Sequence, residues 1–155
     1  MKIAIASGKG GTGKTTFSTN LAFFLSQKAK AVTLLDCDVE EPNAHIFLHP
    51  QLNTKVDVSL LTPSIDRKLC TNCGLCAQAC QFRAIANLGT DTMVFSELCH
   101  GCGLCSLICP EKAISELPRT IGIVESGKSE GIDFIQGTLK IGEPLATPII
   151  KKVRE

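Results

Sequence analysis

The sequence has almost no net charge, no run of like charges and no long apolar segment. Its 16 lysines and arginines nearly cancel its 15 aspartates and glutamates, which leaves a formal charge of +1. This balance argues against electrostatic binding to nucleic acid or to an anionic membrane. The opening residues lack the basic start, apolar core and cleavage site of a signal peptide, and no segment has membrane-spanning length. We therefore expect a cytoplasmic protein with no nucleic-acid partner and no membrane span.

Cysteine is abundant instead, with nine in 155 residues. In a reducing compartment, cysteines at this density favour metal or redox roles over disulfides. Eight of the nine fall into two runs with the same spacing, CTNCGLCAQAC and CHGCGLCSLIC. The repeat divides the chain into a first zone at 1–64, an insert at 65–118 and a return at 119–155.

The first zone predicts a parallel β–α–β unit. Strands are predicted at KIAIAS (Lys2–Ser7) and at AVTLLD (Ala31–Asp36), with a helix at Lys14–Lys28 between them. The apolar residues expected on one face of this helix are Phe17, Leu21, Phe24 and Leu25. In the return, the segment TIGIVESGKSEGIDFIQGTLKIG predicts two antiparallel strands that turn through SGKSEG. A short helix is predicted from Pro144 onward, interrupted by Pro148.

A glycine-rich loop between the first strand and the helix matches the phosphate-binding pattern. Its glycines let consecutive backbone N–H groups surround a polyphosphate, and the helix N-terminus adds partial positive charge. Lys14 is expected to reach the β- and γ-phosphates, and the Thr15 hydroxyl to bind Mg²⁺. The expected nucleotide-binding residues are Gly8, Lys9, Gly10, Gly11, Thr12, Gly13, Lys14, Thr15 and Thr16. The alternative is a glycine-rich turn that binds no ligand.

Asp36 and Asp38 lie at the carboxyl end of the second predicted strand, where ligands gather in open α/β sheets. Asp36 is expected to hold the water shell of Mg²⁺, with capping of the next turn as the alternative. Cys37 has no partner at metal-ligand spacing, so we expect a small buried residue. The histidines are expected to lie at the surface or beside a site without binding metal, because cysteines fill all eight ligand positions. They are His45, His49 and His100.

The loop has a lysine directly after its first glycine. This KGGTGKT segment resembles the deviant phosphate loop of the MinD, ParA and Mrp-type ATPases and of the nitrogenase iron protein. The resemblance implies a homodimer through the nucleotide site, in which Lys9 stabilises charge that develops on the partner's nucleotide. It also implies that Asp38, in a first switch segment, positions or deprotonates the attacking water, with Pro42 and Asn43 matching that segment. For Lys9, the alternative is a solvated loop lysine.

The two cysteine runs resemble the ligand pattern of bacterial two-cluster ferredoxins. The resemblance implies two [4Fe–4S] clusters, each with three cysteines from one run and a fourth from the other. The first cluster takes Cys70, Cys73, Cys76 and Cys109, and the second takes Cys99, Cys102, Cys105 and Cys80. Zinc is the alternative, although this spacing suits a cubane better than paired knuckles. The first run ends in Cys80-Gln81 where the family has Cys-Pro, but proline binds no iron.

Taken in order, these motifs resemble MinD-superfamily ATPases that contain an inserted ferredoxin domain. The implied fold is an α/β P-loop NTPase with a parallel sheet, incomplete in this chain, and an inserted α+β domain of the bacterial 2[4Fe–4S] ferredoxin type. A second switch, a strand that leads into a DxPPG-like segment, does not occur before Glu155. We expect either a truncated chain or strands supplied by another chain, and leave open whether these residues alone hydrolyse ATP.

The resemblance implies an ATPase that couples nucleotide binding and hydrolysis to electron transfer, through an unknown redox partner protein, or to the handling of iron–sulfur or metal cofactors. The alternative is a ferredoxin-like electron carrier whose nucleotide site is regulatory or vestigial. A scaffold for cluster transfer is a weaker third reading, because each cluster has four cysteines. The sequence specifies neither the pathway nor the base of the nucleotide.

Overall fold

The computed structural model describes residues 1–28 and 30–155, which form two compact units. The sheet unit comprises Met1–Val58, Gly122–Lys140 and Ala146–Glu155, and the cysteine unit comprises Ser59–Ile121 and Ile141–Leu145. The helices are α1 (Lys14–Gln27), α2 (Ala44–Leu48), α3 (Leu75–Ala79), α4 (Leu104–Ile108) and α5 (Thr147–Arg154). The strands are β1 (Val32–Asp36), β2 (Gln51–Ile65), β3 (Ile85–Asn87), β4 (Thr92–Val94), β5 (Ile114–Ser129) and β6 (Ile132–Leu139). Within the described residues, no helix has the length and apolar character needed to cross a membrane.

The sheet has four strands in the order β1-β6-β5-β2. β1 runs parallel to β6, and β5 runs antiparallel to it. β5 and β6 are joined by Glu130 and Gly131, which have positive φ values of 44° and 82°. Positive φ at both loop residues is typical of a type I′ hairpin turn, so the predicted antiparallel pair is confirmed. The predicted parallel sheet is confirmed in part, since β1 and β6 are parallel and this hairpin makes the sheet mixed.

The prediction of a strand at Lys2–Ser7 is wrong. These residues have no regular structure, and the Ile3 side chain is exposed. An isolated segment cannot form a strand because its N–H and C=O groups need a neighbouring strand as partner. β1 is paired with β6, and no described strand lies beside Lys2–Ser7. The predicted β–α–β unit is therefore replaced by a parallel pair that β1 forms with a strand from the end of the chain.

The predicted helix forms, but it buries a different face. Thr19 and Ala22 are its buried residues, whereas Phe17 and Phe24 are 60% and 58% exposed. The buried cluster on this side of the sheet consists of Ala22, Leu34, Ala44, Ile132 and Phe134. Small residues on α1 face the sheet because Phe134 and Ile132 already fill the space above it. The predicted helix is therefore confirmed, while two of the four residues on its predicted apolar face are exposed.

The opposite face of the sheet is covered by α5. Its residues Ile149 and Val153 are fully buried, and they lie where glycines in the sheet leave room. A Cβ on Gly137 would stand 2.6 Å from Ile149 Cγ2 and 2.8 Å from Val153 Cγ2. Pro148 lies in the first turn of α5, where a missing N–H costs no helical hydrogen bond, so the helix begins around this proline and is not interrupted by it.

The cysteine unit repeats one short motif. In each copy, a glycine with positive φ begins a short helix: Gly74 (78°) precedes α3 and Gly103 (73°) precedes α4. Shortly after the last cysteine of each run a residue again has positive φ, Arg83 (55°) and Lys112 (49°), before a strand begins. β3 pairs with β4 in an antiparallel ladder. The sequence repeat is therefore also a structural repeat.

Candidate functional site

The glycine-rich loop is folded by hydroxyl contacts and by glycine conformations. Thr12 donates a hydrogen bond to Ser7 Oγ (2.7 Å), and the Ser7 hydroxyl donates to the carbonyl of Lys9 (2.8 Å). Gly13, with φ 85°, precedes the first residue of α1, and the Phe17 N–H donates to its carbonyl at 2.9 Å. Positive φ at this place suits glycine best. The loop therefore leads into the N-terminus of α1 at the position that the motif requires.

The inner side of this loop is open. A Cβ at Gly8, Gly10 or Gly11 would meet no atom within 4 Å. No side chain caps the N-terminus of α1, so its first backbone N–H groups are available to an anion. Within residues 1–28 and 30–155, neither Lys9 nor Lys14 takes part in an ion pair. The loop thus offers backbone donors and two ammonium groups to a ligand such as a polyphosphate.

Asp36 lies at the carboxyl end of β1, as the sequence predicts, and it is buried. Its carboxylate accepts three backbone hydrogen bonds, from the N–H groups of Asp38 (3.1 Å), Asn43 (3.2 Å) and Ala44 (3.0 Å). These contacts shape the segment from Asp36 to Ala44, as the capping alternative expects. Asp38 is exposed, and within the described chain its carboxylate makes no hydrogen bond to Lys9 or Lys14.

Thr15, in the first turn of α1, contacts that segment. Its hydroxyl donates to Asn43 Oδ1 at 2.8 Å. The hydroxyl oxygen keeps its own lone pairs in this arrangement, so it can still bind a cation while it donates to Asn43. The structure therefore brings the predicted Mg²⁺ ligand Thr15 to the loop that Asp36 holds in place.

The eight repeated cysteines line two separate cavities. One is lined by Cys70, Cys73, Cys76 and Cys109. The other is lined by Cys80, Cys99, Cys102 and Cys105. Each cavity thus receives three cysteines of one run and the last cysteine of the other. We call them the Cys70 cavity and the Cys99 cavity.

Backbone N–H groups point at several of these sulfurs. Ala84 N–H donates to Cys80 Sγ, and Ala113 N–H donates to Cys109 Sγ, both at 3.3 Å. Gly101 N–H donates to Cys99 Sγ at 3.4 Å. Such donors stabilise negative charge on sulfur, which a thiolate bound to metal carries. Burial raises the pKa of the Cys76 and Cys105 thiols, which disfavours their thiolate form.

No compact single-ion site accompanies the cavities. Within residues 1–28 and 30–155, no three histidine, cysteine, aspartate or glutamate side chains converge on a point that could hold one metal ion. A tetrahedral zinc site needs its thiolates about 2.3 Å from one centre.

The remaining candidate residues are not among the eight clustered cysteines. His100 stacks on Phe82 with ring centroids 3.8 Å apart, and both rings line the Cys99 cavity. His49 is exposed and ends α2, while His45 is half-buried on that helix. Cys37 is half-buried rather than fully buried, and burial followed by the charge of Asp36 raises the pKa of its thiol.

The family model of the CobQ/CobB/MinD/ParA nucleotide-binding domain matches residues 3–146 of this chain. The chain belongs to this family. The matched residues include the open loop at Gly8–Thr16, α1 and the segment after β1. The match also includes both cysteine runs, although the family description names no metal.

An uncharacterized protein of Methanocaldococcus jannaschii is 38% identical over 99% of this chain and 54% of its own length. An iron–sulfur cluster carrier protein of Synechocystis is 54% identical over 30% of this chain and 13% of its own length. The rat cytosolic Fe–S cluster assembly factor NUBP2 is 47% identical over 32% of this chain and 18% of its own length. The chain spans about half the length of the relatives that match it throughout.

Sequence reasoning missed one pair of residues in the cysteine unit. Glu116 lines the Cys99 cavity, whereas Asn87 holds the corresponding place in the other copy of the repeat. A residue-by-residue comparison of the two repeats, continued past the last cysteine of each, contains the signal. The spacing of the cysteines carries no sign of this difference in charge.

Proposed function

We propose that the chain binds ATP with Mg²⁺ at Gly8–Thr16 and holds two [4Fe–4S] clusters in the cysteine unit. The whole protein would couple nucleotide binding and hydrolysis to electron transfer, or to the handling of iron–sulfur or other metal cofactors. The observation that carries this proposal is the division of eight cysteines into two cavities, each with three cysteines of one run and the last of the other. That division is the ligand pattern of a two-cluster iron–sulfur protein.

The residues around the cavities fit such clusters. Thiolates are soft, anionic ligands that suit iron–sulfur cores. The N–H groups of Ala84 and Ala113 that donate to Cys80 and Cys109 are the kind of contact that adjusts a cluster's reduction potential. When bound, the clusters would supply one-electron chemistry.

In the sheet unit, each residue has a defined task in this proposal. The loop N–H groups and Lys14 hold the phosphates, and the Thr15 oxygen binds Mg²⁺. Asp36 supports this ion by holding the segment that carries Asn43, and Asp38 orients the attacking water. Lys9 acts on the nucleotide of a second copy of the chain in a homodimer, where its charge stabilises the transferring phosphoryl group.

The names of the partial relatives support iron–sulfur chemistry, since one is an iron–sulfur cluster carrier and another a cytosolic Fe–S cluster assembly factor. They do not distinguish cofactor handling from electron transfer. The second candidate is an electron carrier whose nucleotide site regulates it without turnover. It is favoured by the four thiols in each cavity, which suit a permanently held cluster better than one that is passed on.

The experiment that tests the binding part is anaerobic purification followed by iron and sulfide analysis. Two clusters predict roughly eight iron and eight sulfide per chain, with broad charge-transfer absorbance that dithionite bleaches. ATP binding is measured on the same sample by calorimetry with and without Mg²⁺. A colourless protein that retains zinc, or one that binds no ATP, would contradict the proposal.

A further inference from the structure

The two copies of the cysteine motif differ in charge at one equivalent position. A Cβ on Gly103 would stand 3.1 Å from Glu116 Oε1, and a Cβ on Gly74 would stand 3.6 Å from Asn87 Oδ1. Counted from the first cysteine of its own run, each glycine and its neighbour hold the same place. Glu116 and Asn87 are therefore structural counterparts, one a carboxylate and the other a neutral amide.

Glu116 is half-buried at the Cys99 cavity. Its Oε1 lies 3.1 Å from the Ser106 hydroxyl, whose single proton it shares with the Gly103 carbonyl at 2.8 Å. Glu116 lines this cavity together with Cys102 and Cys105. It takes part in no ion pair within residues 1–28 and 30–155. A neutral hydroxyl and partial contact with water therefore stabilise its negative charge, and no cation of the described residues pairs with it.

Asn87 has a different set of contacts. Its Nδ2 donates to the carbonyl of Asn72 (3.2 Å) and to Thr92 Oγ1 (2.8 Å), and its Oδ1 accepts from the Gly89 N–H (3.1 Å). The bonds to Thr92 and Gly89 hold the turn between β3 and β4, and the bond to Asn72 ties this turn to the first cysteine run. Asn87 does not appear among the residues that line the Cys70 cavity. This amide serves the fold and adds no net charge.

We propose that Glu116 makes the two cluster sites unequal, so that a cluster in the Cys99 cavity has the lower reduction potential and the electron rests in the Cys70 cavity. This inference rests on the proposed function. Reduction adds one negative charge to a cluster, and a carboxylate nearby in a poorly solvated place opposes it. An amide at the equivalent position does not.

Other polar groups at the cavities are expected to affect the reduction potentials less. Glu111 lines the Cys70 cavity, and His100 lines the Cys99 cavity, but both are exposed. Water and salt screen exposed charges more than half-buried ones. The expected order of potentials therefore follows Glu116, with the exposed groups as smaller corrections.

The test is a potentiometric reduction of the whole, anaerobically prepared protein, followed by EPR, after its iron content has been measured. The wild-type protein is expected to show two reduction steps. Glu116→Gln keeps an acceptor for Ser106 and removes the charge. It is expected to shift the lower step upward, by about threefold or more in the ratio of reduced to oxidised cluster at a fixed potential, and to leave the upper step in place.

Asn87→Asp is the matched control, because it places a carboxylate at the equivalent position. It is expected to lower the upper step, by less than Glu116→Gln raises the lower one, because Asn87 lies behind Gly74 and does not line the Cys70 cavity. The inference is overturned if Glu116→Gln leaves both steps unchanged, or if both variants move the same step, while each keeps its full iron content. A protein that holds no iron would contradict the proposed function instead, so the two failures are distinguishable.

Discussion

The hydroxyl of Thr15 donates a hydrogen bond to Asn43 Oδ1 across 2.8 Å. Thr15 belongs to the first turn of α1, and the backbone N–H of Asn43 donates to the buried carboxylate of Asp36. Two hydrogen bonds therefore join the glycine-rich loop to the end of β1. A ligand that displaces Thr15 would act on the Asp36–Ala44 segment directly, without help from any other element.

Replacement of Asp36 by asparagine is expected to destabilise the protein by about 2–3 kcal/mol. Its carboxylate accepts three backbone hydrogen bonds, and an amide offers one acceptor oxygen and sets an N–H₂ group against the remaining donors. The measurement is urea unfolding followed by circular dichroism. Asp38→Asn is the control, since Asp38 is exposed, and its change should stay within about 0.5 kcal/mol. Equal effects in the two variants would show that the three contacts do not hold the segment.

Replacement of Lys14 by alanine is expected to weaken ATP binding by about a hundredfold, as the loss of a charged contact worth about 3 kcal/mol implies. The absorbance of the clusters should not change, because the lysine and the cysteines belong to different units. Calorimetry and visible spectra check the two halves of this prediction. Lys140→Ala, an exposed lysine at the end of β6, provides the control. If Lys14→Ala abolished the cluster absorbance as well, the reading as two separate modules would fail.

Pairs of cysteine substitutions test how the ligands are shared. Cys109 lines the cavity of Cys73, whereas Cys102 lines the other one. Cys109→Ser combined with Cys73→Ser should therefore damage one cluster and spare the second. Cys109→Ser combined with Cys102→Ser should damage both, although these two cysteines belong to the same run.

Iron analysis and EPR of the reduced proteins distinguish the two cases. About half of the iron should remain in the first double variant and almost none in the second. The opposite result would mean that each run binds its own metal.

Replacement of Gly137 by alanine is expected to destabilise the sheet unit by about 1–3 kcal/mol, because the new methyl group would overlap α5. The added Cβ would lie 2.6 Å from Ile149 Cγ2 and 2.9 Å from Val39 Cγ1. Thermal unfolding gives the shift. Gly8→Ala has open space around its Cβ and should leave the unfolding temperature nearly unchanged. A neutral Gly137→Ala would show that α5 packs further from β6.

Local patterns predicted what local forces determine. The hairpin turn contains Gly131, which has a positive φ that glycine adopts readily. The glycines likewise determine the conformation of their loop, and the spacing of the cysteines determines their arrangement around each cavity. Asp36 lies at the carboxyl end of β1, as its place after a buried apolar run predicts, and its role at Mg²⁺ stays a prediction.

Patterns that depend on distant partners gave wrong predictions. The alternation in Lys2–Ser7 suits a strand, but a strand exists only where another strand accepts its hydrogen bonds. Phe17 and Phe24, expected on the apolar face of α1, are exposed, and Thr19 and Ala22 are the buried residues of this helix. The contact between Thr15 and Asn43 joins residues far apart in sequence, so periodicity and spacing carry no sign of it.

The central claim is that nucleotide turnover and the clusters are coupled in one protein. The most direct measurement is the rate of ATP hydrolysis by the full-length protein, prepared without oxygen, first with its clusters oxidised and then with them reduced. We expect the two rates to differ by more than about fivefold, the lower end of common coupling energies. Equal rates in the two states would contradict the claim, because the nucleotide site and the clusters would then share a chain and nothing else.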